Sequence, residues 1–332
     1  MILSTAFLET LATVTFTDAA VIDSYFIKNA GQDFITWFNE HAAGKQNWDG
    51  LHIVSGDNTG ALFSQLWSNE STAAIFEGKA PTLLQFLALQ SIIINETGGM
   101  LAPVTEAVGD RGHPGIAYAF DHIPGLKRSY NTMPGNKTCF TLFNARGYNK
   151  AFGSLPLGDA LQNTKDVTWQ GEAYPQQTFS TSTAPGITGY VLEADFFKFR
   201  GRGFIQTTGR SNYSQLVDYI INYTGANAVI TGMKNEWGHI SGDADTLSTI
   251  STNDNWETLF NQSDCIIGAK AIAIHNETSG RYLQQLSAAD TVTMEGSLYR
   301  MGLRINGGNN YALLFRDRVL QLATLLQQKS GS

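Results

Sequence analysis

Residues 197–213 read FKFRGRGFIQTTGRSNY. Gly201 and Gly203 allow the backbone to turn, or to approach another group, where a side chain would clash. Phe204 and Ile205 are an apolar anchor. Gln206, Thr207 and Thr208 then present amide and hydroxyl groups, and Gly209 breaks the run. Beyond it, Leu216, Val217, Ile220 and Ile221 recur at helical spacing, and Ser211 or Asn212 is expected to cap that helix. A short rigid ledge with neutral donors and acceptors suits a ligand rich in hydroxyl groups.

Working outward, the run PTLLQFLALQSIIINETGG at 81–99 predicts a helix that opens at Pro81 and is apolar nearly all round, hence buried. Gly98 and Gly99 should stop it. Glu96 is thereby expected at the C-terminal end of a buried helix. Apolar surroundings and the negative end of the helix dipole both disfavour its charged form, as suits a proton donor. Glu106 follows in PVTEAVGD, with Asp110 and Asp121 as rival carboxylates. Near the other end of the chain, RINGGNN at 304–310 predicts a turn at Asn306, Gly307 and Gly308 that leads into a helix containing Leu313, Leu314, Val319, Leu320 and Leu322.

Three motifs in this order, INETGG, FKFRGRGFIQTTGRSNY and RINGGNN, resemble those of family 19 glycoside hydrolases, the chitinases and the phage or bacterial endolysins with a lysozyme-like fold. The chain departs at Thr207, where an aliphatic residue is usual, and at Asn95, where His is usual. The resemblance implies Glu96 as general acid and Glu106 as general base, with Thr208 holding the catalytic water. It assigns Gln206 and Asn212 to substrate binding. Asn306 can hydrogen-bond an N-acetyl group, and Tyr213 either packs beneath the site or offers its hydroxyl. Arg200 and Arg202 are expected to pair with the catalytic carboxylates or to be solvated, with Arg202 a candidate substrate contact. Arg304, Arg316 and Arg318 either support the acidic cluster or pair on the surface. The stretch IAIHNETSGRY at 272–282 echoes INETGG, but its Glu277 is read as an ordinary helix end.

Composition narrows the classes. The 332 residues are 42% apolar and 15% charged, a soluble globular balance with enough chain for a sizeable core. A net charge of −7 argues against general nucleic-acid binding, which rests on neutralising phosphates. It also argues against the basic surface by which many secreted lysozymes reach anionic walls. Cys139 and Cys265 allow one disulfide at most, and the histidines at 41, 52, 113, 122, 239 and 275 have no metal-ligand spacing. No cofactor or metal is expected, and no run is long enough to span a membrane. The N-terminus lacks a basic n-region, so no signal peptide is read. A protein made in the cytoplasm would then reach a cell wall through phage lysis or non-classical export. The sequon Asn95-Glu96-Thr97 falls on the proposed acid, where a glycan would block it.

The expectation is therefore a mainly α, two-lobed lysozyme-like fold with a small β-element near the central motif. It forms a single catalytic domain over 1–332, with an N-terminal helical part at about 1–78 and a core at about 79–121 and 191–330. Residues 20–45 should be helical, with Ile22, Phe26, Phe34, Ile35, Trp37 and Phe38 inward, followed by a helical stretch near 61–77. The Gly-, Pro-, Thr- and Asn-rich passage at 122–190 is read as an insertion that shapes the substrate site or docks a phage or secretion-machine protein. The substrate implied is peptidoglycan, with chitin as the alternative. A glycan-binding or structural component of a phage tail or injection machine, without turnover, is the reading from a different class.

Overall fold

A computed structural model describes residues 3–106 and 199–330, apart from 241, 245–246 and 249–250. Cys139, Asp110, Asp121 and the 122–190 passage lie outside the described residues. The described chain is mainly helical, and none of its helices is long and apolar enough to cross a membrane. Two compact units divide it. Among the described residues the first comprises 3–103, 203–205 and 262–330, and the second 104–106, 199–202 and those within 206–261. The N-terminal part thus shares its unit with the C-terminal helices, and does not stand alone.

The first unit begins with α1 (Thr5–Thr13) and α2 (Ala19–Ala30). The helix expected over 20–45 is broken. Gly31 takes a left-handed conformation and ends α2, and Asp33 caps a new short helix, α3 (Phe34–Trp37), that runs into one π turn (Phe38–Ala42). The break leaves the inward aromatics in place. Phe26, Phe34, Trp37 and Phe38 are fully buried, and Ile35 is half-buried. Edge-to-face contacts tie Phe26 and Phe34 to Phe86, with ring centroids 6.0 and 4.9 Å away. The 61–77 stretch forms two helices, α4 (Asp57–Leu66) and α5 (Asn69–Ile75).

At the centre lies α6 (Leu83–Glu96). It starts two residues later than Pro81 suggests, because Thr82 and Gln85 form a reciprocal capping box. Every residue from Leu83 to Ile94 is buried except Gln85. Its buried Gln90 accepts a hydrogen bond from the Trp67 indole at 2.8 Å. After Thr97, Gly98 and Gly99 turn the chain with positive φ. A Cβ on Gly99 would sit 1.9 Å from the His52 carbonyl oxygen, so only glycine fits.

The C-terminal part of this unit supplies α10 (Ile266–Thr278), α11 (Ser297–Asn306) and α12 (Asn309–Ser330). Gly268 on α10 receives the Phe204 ring, 2.6 Å from where a Cβ would stand. Helix α12 packs on α6, α2 and α11. Gly307 caps α11 in the left-handed conformation, so Asn306 is the last helical residue and the turn proper starts one residue later than expected. Cys265 is a buried free thiol, pushed up to about 12 by burial and then by Asp264.

The second unit holds β1 (Val104–Thr105), paired with β2 (Arg202–Gly203), of which Arg202 belongs to this unit. Its helices are α7 (Arg210–Ile221), α8 (Ala228–Gly238) and α9 (Asn253–Phe260). Leu216, Val217 and Ile220 of α7 are buried as their spacing predicts, and Ile221 is half-buried. The expected cap at Ser211 or Asn212 is not used. Helix α7 opens at Gly209, φ 88°, two residues before Ser211 and three before Asn212. Tyr213, Trp256, Phe199 and Phe260 form an aromatic core, with the Tyr213 and Trp256 rings edge to face at 4.7 Å.

Candidate active site

In the first unit, Glu96 stands at the half-exposed end of α6. Its Oε1 accepts from the Tyr311 hydroxyl at 2.8 Å and from Asn95 Nδ2 at 2.9 Å. Tyr311 is the third residue of α12, so the Gly307–Gly308 turn sets how that hydroxyl reaches the carboxylate. Burial, then the neighbouring Glu96 charge, pushes the Tyr311 hydroxyl well above its ordinary range, so it stays a donor. Asn95 Oδ1 in turn accepts from Arg318 Nη1. Arg318 is anchored by its Nε on the Asn47 carbonyl at 2.6 Å and lies over the Trp48 ring at 5.1 Å. The Asn95 amide therefore faces a cation with its oxygen and a carboxylate with its nitrogen, an orientation both neighbours demand.

Of the three C-terminal arginines, only Arg318 supports this cluster. Arg316 pairs with its neighbour Asp317, and Arg304 makes no hydrogen bond or ion pair among the described residues. Asn306 is exposed at the end of α11. Glu277 is exposed at the end of α10, in keeping with an ordinary helix end.

The second unit brings Glu106 together with the central motif. The Glu106 amide donates to the Gly201 carbonyl at 2.7 Å, and the Gly201 amide donates back to Glu106 Oε2 at 3.2 Å. Gln206, at φ 53°, folds its side chain across Gly201, where a Cβ would meet its Oε1 at 2.5 Å. Its Nε2 reaches the Val104 carbonyl at 3.3 Å. Thr208 donates its hydroxyl to the Gln206 carbonyl at 2.6 Å, and Asn212 Nδ2 donates to the Thr208 carbonyl at 2.8 Å. Glu106, Gln206, Thr208 and Asn212 are all half-buried and linked through these few bonds.

Arg202 and Tyr213 occupy a different position from the one expected of ligand contacts. Both are fully buried. The Tyr213 hydroxyl accepts from Arg202 Nη1 at 3.0 Å and donates to the Arg200 carbonyl at 2.8 Å. Neither arginine is solvated, and both meet Glu257 on α9 in place of the proposed catalytic carboxylates. Arg200 Nη2 and Arg202 Nε approach Glu257 Oε1 at 3.1 and 3.0 Å. Asn253 Oδ1 accepts from both guanidinium groups. Thr105 donates to Glu257 Oε2 at 2.9 Å. Burial and then Arg202 push Arg200 down to about 10. Burial also works against the charge on Arg202, but Tyr213 and Glu257 hold it above its ordinary value. Glu257 thus pins Thr105, beside Glu106, and the two arginines that flank Gly201.

Glu257, Asn253, Tyr311 and Asn47 were not picked out by the sequence. Tyr311 directly follows RINGGNN, a position that could have drawn notice. Glu257 carries no local signal, since its partners lie far away in the chain. No family model, curated protein or solved structure matches this chain.

Proposed function

We propose that this chain is a glycoside hydrolase that cleaves β-1,4 bonds between N-acetylated hexosamines, with peptidoglycan as its substrate, by inverting general acid–base catalysis. The observation that carries the reading is the setting of Glu96. A single carboxyl stands at the half-exposed end of an otherwise buried helix, aimed by two neutral donors, Tyr311 and Asn95. Such a carboxyl can protonate a leaving glycosidic oxygen. Glu106 takes the proton from a water that attacks the opposite face of the sugar. The Thr208 hydroxyl donates to the Gln206 carbonyl, so its own oxygen keeps lone pairs that accept from that water. Gln206 and Asn212 contribute hydrogen bonds to sugar hydroxyls, and Asn306 to an N-acetyl group.

The test is product analysis. Wild type and Glu96→Gln are incubated separately with peptidoglycan sacculi and with chitin oligomers, and products are identified by mass spectrometry. Disaccharide-peptides released from sacculi by wild type alone are the expected result. Cleavage of chitin oligomers alone moves the substrate to chitin. No product from either, with folded protein, removes the enzymatic reading in favour of a glycan-binding or structural role.

A further inference from the structure

The first unit has a concave feature that the proposed reaction does not use. A pocket of about 380 Å³ lies along α11 beside the turn that follows Arg281. That volume is within the range of small-molecule sites. Tyr282 and Met301, both buried, form its floor with half-buried Leu303. Arg300 and Arg304 stand one helical turn apart on its rim, and Gln285 lines it from the facing turn.

The two arginines differ. Arg300 is committed, since its Nη2 pairs with Asp290 at 3.0 Å and its Nη1 donates to the Glu295 carbonyl at 2.9 Å. Arg304 is exposed and has no hydrogen bond or ion pair among the described residues. Asp290 offsets Arg300, which leaves the Arg304 charge uncompensated at the pocket. A guanidinium fork matches a carboxylate in two parallel hydrogen bonds. The apolar floor adds a requirement that a bare inorganic anion does not meet, namely aliphatic groups next to the charge.

We infer that this pocket binds an aliphatic carboxylate, with the Arg304 guanidinium on the carboxylate and the Tyr282–Met301 floor under the adjoining aliphatic groups. The source of that carboxylate rests on the hydrolase reading. Peptidoglycan carries lactyl-linked peptides with free carboxylates and alanine methyls, whereas chitin is neutral and carries neither. The pocket thus makes the peptide part of peptidoglycan a recognised element, seated on α11 beside the Asn306 contact to the glycan.

The experiment measures binding to the full chain by titration calorimetry with three probes. These are muramyl dipeptide, the same molecule with its carboxyl amidated, and neutral chitobiose. Wild type should bind muramyl dipeptide about tenfold more tightly than the amidated form, an advantage that shrinks with added salt. Arg304→Gln should lose that tenfold difference and leave chitobiose binding where it was. Equal binding of the carboxylated and amidated probes by wild type, or an unchanged preference in Arg304→Gln, overturns the inference. So does a failure of wild type to bind muramyl dipeptide. The two readings fail separately. An Arg304-dependent carboxylate preference without cleavage of any glycan retains the pocket and removes the hydrolase. Cleavage of sacculi without that preference does the reverse.

Discussion

Replacing Glu257 with glutamine removes a carboxylate that meets two buried guanidinium groups. In the native protein its Oε1 lies 3.1 Å from Arg200 Nη2 and 3.0 Å from Arg202 Nε. The side chains of those arginines are 10% and 0% exposed, that of Glu257 29%. Glutamine preserves the shape but leaves two like charges close together in a desolvated place. Breaking a buried pair costs roughly 3–5 kcal/mol, and water at the outer side of Glu257 sets the value here near the lower end, about 3 kcal/mol. For a folding unit of this size that corresponds to a fall in Tm of roughly 6–12 °C. Calorimetry of wild type, Glu257→Gln, Arg200→Met and the double variant measures it. The double variant should lose less than the sum of the singles by about 1 kcal/mol or more, because Arg200→Met relieves the repulsion left by Glu257→Gln. A Tm loss below 2 °C for Glu257→Gln (~0.5 kcal/mol on the same scale), or strict additivity, would refute the pairing. Since Thr105 hangs on the other oxygen of Glu257 next to Glu106, glycan turnover should fall along with stability.

Gly99→Ala should destabilise by roughly 3 kcal/mol, from the left-handed conformation at φ 82° and from the His52 carbonyl in the path of the new methyl; urea denaturation reads it. Tyr311→Phe removes one of the two donors to Glu96, and a hydrogen bond to a charged group is worth roughly 1.5–3 kcal/mol, so kcat should drop on the order of tenfold to a hundredfold with the fold intact. Burial holds the His275 imidazole below its usual 6.5, beside the Tyr282 hydroxyl at 2.9 Å. The stability this confers is complete above pH 6.5 and is lost as the pH falls toward the depressed folded value. The gap in stability between wild type and His275→Gln, followed by denaturation from pH 7.5 to 5, should therefore narrow on acidification.

What could be read in advance was whatever repeats locally. Helix α6 announces itself because eleven of its fourteen residues are buried and the run is apolar nearly all round. The aromatic face of Phe26, Phe34, Trp37 and Phe38 followed from spacing, and so did the buried face of α7. Boundaries were harder, because caps compete. Thr82 displaces Pro81 as the signal that matters, since its hydroxyl and Gln85 satisfy two backbone groups at once. Asp33 restarts a helix directly after the Gly31 stop. The candidate site was legible as residue types, namely a carboxyl at a helix end and amides on a glycine-rich ledge. Its supports were not. Thr105 and Glu257 are separated by 152 residues, and Asn95 and Arg318 by 223. No periodicity encodes such pairs, and only the tertiary fold brings them together.

The supports share a logic that bears on the proposed chemistry. Arg200, Arg202 and Arg318 each bond to other partners. Arg200 and Arg202 go to Glu257, and Arg318 goes to two carbonyl-type oxygens, of Asn47 and Asn95. Among the described residues neither Glu96 nor Glu106 takes a direct arginine partner. Glu96 is held by a hydroxyl and an amide, and Glu106 by the Gly201 backbone amide. Neutral donors fix where a carboxyl points through hydrogen bonds rather than a direct ion pair. Asn95 is the hinge of this arrangement. Its amide links the fixed position of Arg318 to Glu96, and the two charges also act on each other. Histidine in that place, or Asn95→Asp, would bring a titratable group into the same bond. Asparagine at 95 is thus matched both to Arg318 on the facing helix and to Glu96 beside it.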